Sequence, residues 1–143
     1  MFNLLRSKKK EFGFKANPSL KSFGKDLNEA QISAMIHTFL LVMMAEDAVL
    51  NLKMYNYIHE QFECLGFDLK QDYVYKYAKT DDNQAYSILK KLSMEQKKWY
   101  AISLRAMLFD IGVKASKNQI LQFELIGDKT YNPYVKQEIV RSL

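Results

Sequence analysis

Five times in this chain a short polar residue is followed three positions later by glutamine: Asn28-x-x-Gln31, Asp68-x-x-Gln71, Asp81-x-x-Gln84, Ser93-x-x-Gln96 and Ser116-x-x-Gln119. At that spacing the short side chain accepts an orphan amide of a helix's first turn, and the glutamine reaches back to the amide of the cap. A start signal repeated this often commits the chain to helices. Leu27 and Ile32 flank the first cap at the positions of a hydrophobic staple. Asn51 can cap a further helix, and Asn132-Pro133 puts proline at a first helical position, where its missing N–H costs nothing. Gly66, after Glu63-Cys64-Leu65, and Gly127, after Glu124-Leu125-Ile126, stand where a left-handed residue ends a helix. The spacing predicts helices at about 28–46, 51–65, 69–79, 82–91, 94–110, 117–126 and 133–142, with ends good to a few residues.

Two of these segments have the apolar periodicity of buried helices. Ile32, Met35, Ile36, Phe39, Leu40 and Met43 recur at spacings of three and four, as do Trp99, Ile102, Ala106 and Phe109, with Met107 and Leu108 widening the face. Only 5 glycines and 2 prolines argue against a hairpin-rich β fold. The expected architecture is all-α: a compact bundle of about seven helices around two central, buried ones. Residues 26–143 form a single helical domain of ordinary size for one core.

The formal charge of +5 is unevenly placed. Residues 1–25 contain Arg6, Lys8, Lys9, Lys10, Lys15, Lys21 and Lys25 against Glu11 alone, a net of +6 that leaves −1 for the remainder. The basic character belongs to a partly flexible arm. Phe2, Leu4, Leu5, Phe12, Phe14 and Phe23 alternate with those lysines. Apolar anchors beside Lys8, Lys9 and Lys10 suit an anionic membrane surface, and the same mixture suits nucleic-acid phosphates and bases. The plainer alternative is an arm whose phenylalanines tuck onto the bundle. The greasy run 39–45 is too short to span a bilayer, and Leu4-Leu5 is too short for a secretory leader. A cytoplasmic protein, peripheral at most to the inner membrane, is expected.

No catalytic spacing emerges. His37 and His59 form no Glu-x-x-His or His-Glu-x-x-His pattern, and the lone Cys64 provides neither a disulfide nor a thiolate zinc site. His59 and Cys64, five apart, do not share a helix face. There is no Gly-rich phosphate loop and no Gly-x-Ser-x-Gly elbow. The expectation is a protein that is not an enzyme and needs no cofactor. Tyr55, Tyr57, Tyr73, Tyr75, Tyr77 and Tyr86 make one stretch rich in tyrosine, with Tyr73 and Tyr77 on one face. Rings of this type fill a core boundary or form a protein-binding surface.

An internal echo remains. MIHTFLLVMMAEDAV and WYAISLRAMLFDIGV each run as a greasy helix into an acid, with valine three residues later: Glu46 and Val49, Asp110 and Val113. Helix starts follow at Asn51 and Ser116. Ala45-Glu46-Asp47-Ala48-Val49, the later Leu65-Gly66-Phe67 and Phe109-Asp110-Ile111-Gly112-Val113 resemble the tellurite-resistance TerB-like helical domain family over residues 28–127. The family's glycine after the first acid is Asp47 here and Ile111 in the second copy. Its acids at the following helix start are replaced by Leu52-Lys53 and Ser116-Lys117. The resemblance implies a TerB-like fold and a non-enzymatic interaction module in bacterial stress response or defence, with a protein partner and an unknown oligomeric state. An immunity protein that binds a toxin is a variant of that reading. Glu46, Asp47 and Asp110 are the candidate ligands for a divalent cation should the two turns converge; a hard cation needs six or more oxygens, and Lys53 and Lys117 stand where more acid is wanted.

Overall fold

The computed structural model describes residues 26–46, 51–65, 80–132 and 135. Within them lie five helices: α1 (Glu29–Met43), α2 (Leu52–Cys64), α3 (Asp82–Lys90), α4 (Met94–Phe109) and α5 (Lys117–Thr130). All the described regular structure is helical, as expected. The helix expected at 69–79, all of that expected at 133–142 except Val135, the cap at Asp68 and the stop at Gly66 lie outside the described residues.

The described cap residues all accept a first-turn amide, and three of the four described cap-plus-three sites close the full box. Asn28, Ser93 and Ser116 each close a reciprocal box with the glutamine three residues on, and Asn51 and Asp81 accept from Met54 and Gln84 amides. At α1 the two bonds measure 2.8 and 2.9 Å. Leu27 and Ile32, the staple pair, are both buried.

Burial identifies the centre. Ten of the fifteen residues of α1 are buried and nine of the sixteen in α4, against four of fourteen in α5. Helix α1 packs against α2, α3 and α5, while α4 packs against α2 and α5. A run of edge-to-face aromatic contacts ties the layers together: Trp99 to Phe62, Phe62 to Phe39, Phe39 to Tyr100, and Tyr100 to Tyr131. Each such pair adds about 0.5–1.5 kcal/mol beyond burial. The anticipated face of α1 is wholly buried. That of α4 is buried at Trp99, Ala106, Met107 and Leu108 and widens to Tyr100, Ser103 and Leu104, whereas Ile102 is only partly buried and Phe109 is 46 % exposed with Arg105 over its ring.

Two helix ends differ from expectation. Helix α1 stops at Met43, three residues before Glu46, where the Ala45 amide turns back to Val42 O at 3.2 Å. Helix α5 continues through Gly127 to Thr130. Gly127 is a packing glycine, not a left-handed stop: a Cβ there would meet the Tyr131 ring at 3.1 Å and the Asn132 amide nitrogen at 3.0 Å. Its missing side chain lets Tyr131 fold back over α5 and reach Tyr100. Among the described residues the left-handed glycine is Gly112, at φ +77°, two residues beyond the C-cap Asp110 of α4.

Candidate functional site

Several polar side chains of the interior join one helix to another. His37, fully buried on α1, places Nε2 2.7 Å from the Asp82 carboxylate at the start of α3. Thr38 donates its hydroxyl back to Met35 O at 2.8 Å, which leaves its oxygen free to accept the Tyr100 O–H from α4. Tyr57 of α2 donates to the Ser103 carbonyl of α4 at 2.9 Å. Burial first, then the Asp110 charge, pushes the Tyr57 hydroxyl well above its ordinary pKa. Burial does the same to Tyr100, and to Tyr131 with help from Asp128. Each is an ionisation the fold opposes.

Gln119 has two tasks. Its Oε1 accepts the Ser116 amide in the capping box of α5, and its Nε2 donates to Met43 O at 3.0 Å, one of the last carbonyls of α1. The same Nε2 lies 3.6 Å from Met54 Sδ in the first turn of α2. One amide thus brings the start of α5 against the end of α1 and the beginning of α2. The helix that follows the second echoed turn starts beside the last residue of the helix that precedes the first.

The acids of the two echoed turns are not equivalent, however. Asp110 is itself the C-cap of α4, whereas Glu46 lies two residues beyond the C-cap Met44 of α1. Both are exposed, as are Lys53 and Lys117. Asp47 lies outside the described residues. Among the described residues no group of three or more His, Cys, Asp or Glu is gathered as a metal would require.

The other candidates fall into two groups. His59 is partly exposed, 3.9 Å from Glu63 and tilted against Tyr55; Cys64 is half-buried. Tyr55, Tyr57 and Tyr86 are buried, so the described tyrosines belong to the core and its boundary. Tyr73 and Tyr77, with Phe2, Leu5, Lys8, Lys9 and Lys10 of the arm, lie outside the described residues. No helix among the described residues is long and apolar enough to cross a membrane.

A surface that sequence reasoning missed lies on α5. Leu121 and Leu125, one turn apart, are 51 % and 44 % exposed. They share that outer side with Lys117, Asn118, Glu124 and Asp128, all exposed. Among the described residues, Leu52, Met94 and Phe109 are the other exposed large apolar ones. Single exposed leucines are ordinary on protein surfaces, but an i, i+4 pair on one helix face makes a ridge. Comparison with known proteins yields no matching family model, curated protein or solved structure. The TerB-like resemblance rests on the motifs quoted for it.

Proposed function

We propose that this chain is a non-enzymatic, TerB-like interaction module that works by binding a protein partner in bacterial stress response or defence. The observation that supports it most is the division of labour among side chains. Buried Thr38, Tyr57, Tyr100 and Gln119 of α1, α2, α4 and α5 are engaged in joining helices, while the outer face of α5 turns two leucines to solvent. An apolar pair rimmed by charge is the usual make-up of a binding surface. The test is affinity capture with the full chain, with Leu121→Gln/Leu125→Gln, and without residues 1–25. A partner retained by the full chain and the truncated chain but lost by the leucine variant supports the reading. Capture unaffected by the leucine change counts against it.

A second reading follows from the +6 charge of residues 1–25: the arm holds the protein to an anionic membrane surface or, less favoured, to nucleic acid. It predicts salt-sensitive binding to anionic vesicles that disappears when Lys8, Lys9 and Lys10 are replaced by Gln. A divalent cation at Glu46, Asp47 and Asp110 is a third. It requires calcium or zinc to raise the melting temperature of the full chain and Glu46→Ala/Asp110→Ala to remove the rise.

A further inference from the structure

Two charges of α5, Lys117 and Asp128, run against its dipole, while Lys129 in the last turn suits it. A helix favours acid in its first turn and base in its last. Here Lys117 opens the helix, its first turn has no acid, and Asp128 stands near its end. Lys117, Leu121, Leu125 and Asp128 follow one another at steps of four, four and three, so they lie along one ridge about 16 Å long. All four are exposed.

The geometry points to a second copy of this chain as the occupant of that ridge, paired antiparallel through α5. This rests on the interaction-module reading above and names one partner for its surface. A two-fold axis between Leu121 and Leu125 sets Leu121 of one copy against Leu125 of the other. The same axis brings Lys117 beside Asp128 of the facing helix at both ends, because the two charges lie at nearly equal distances from the midpoint of the leucines. Each Lys117 then gains an acid that its own first turn lacks, and each Asp128 gains a base. Lys129 lies about 100° further round the helix than Asp128 and points to the rim. A parallel pairing would stack like charges at both ends, which selects the antiparallel arrangement. Asp128 also accepts from the Asn132 side chain at 3.1 Å, which holds its carboxylate at the end of the ridge.

Sedimentation of the full chain over a wide concentration range tests this. The expected result is a reversible monomer–dimer equilibrium that Leu121→Gln/Leu125→Gln abolishes. Lys117→Asp alone and Asp128→Lys alone should each weaken the dimer about tenfold by opposing like charges at both ends. The double exchange Lys117→Asp/Asp128→Lys should restore it to within about threefold of the original. Circular dichroism confirms that each variant is folded before its mass is read. A chain that stays monomeric throughout overturns the proposal, as does a dimer whose charge exchange brings no rescue. In either case, capture of a different protein through Leu121 and Leu125 would leave the interaction-module reading standing. Loss of that capture would remove it separately.

Discussion

Helices α1 and α5 are nearly equal in length and touch each other, yet they place their minority residues in opposite ways. Helix α1 turns polar His37 and Thr38 fully inward and engages both with other helices. Helix α5 turns apolar Leu121 and Leu125 outward. A buried hydroxyl or imidazole is costly unless it is bonded, so the polar groups of α1 are structural by necessity. The exposed leucines of α5 stabilise far less, and their use is open to a partner. The difference separates what holds this molecule together from what it can offer.

The strongest way to break the inner region is alkali. The folded pKa values of Tyr57, Tyr100 and Tyr131 are raised above the ordinary tyrosine value of 10.0. Below pH 10 both folded and unfolded chains keep these protons, so the stability is fully present. Above it the unfolded chain releases them first, and stability falls by about 1.4 kcal/mol per pH unit for each such group. Urea melts between pH 8 and about 11 should show a plateau and then a steep decline. A flat profile would mean the hydroxyls are wet.

Phe39→Ala comes next. It empties the place where the rings of Phe62 and Tyr100 meet, and a loss of about 3–5 kcal/mol is expected in chemical denaturation. A cost under about 1 kcal/mol would contradict the central place of α1. Gln119→Glu sharpens the comparison at the contact between the two helices. Capping-box rules treat the two residues as equivalent. The structure does not: the carboxylate would lose the donor to Met43 O and set charge against that carbonyl, costing about 2 kcal/mol. The smallest effect belongs to Ser103→Ala. Its hydroxyl is buried without a hydrogen-bond partner, and only its carbonyl serves Tyr57. Removal should leave the melting temperature unchanged or raise it.

What could be read in advance was local. Caps at Asn28, Asn51, Asp81, Ser93 and Ser116 depend on residues three positions apart, and all five form. The apolar face of α1 is a strong repeat and is buried as written. Contacts across the bundle carry no such mark: His37 meets Asp82 across 45 positions and Gln119 meets Met43 across 76. Gly127 misleads for a related reason, since the ring that needs its missing Cβ comes from Tyr131 folding back. The outer ridge of α5 was illegible because Ile120, Leu121, Phe123, Leu125 and Ile126 surround the helix without a clean stripe. Only packing reveals which of them face out.

The most direct test of this separation is the melting temperature of Leu121→Gln/Leu125→Gln, measured at a dilution where no self-association is detectable. Glutamine forms helix about as well as leucine, so only the loss of apolar surface is read. If those leucines serve a partner and not the fold, the melting temperature should stay within about 4 °C of the original chain. A fall of about 10 °C or more would place them in the core's service and contradict the account.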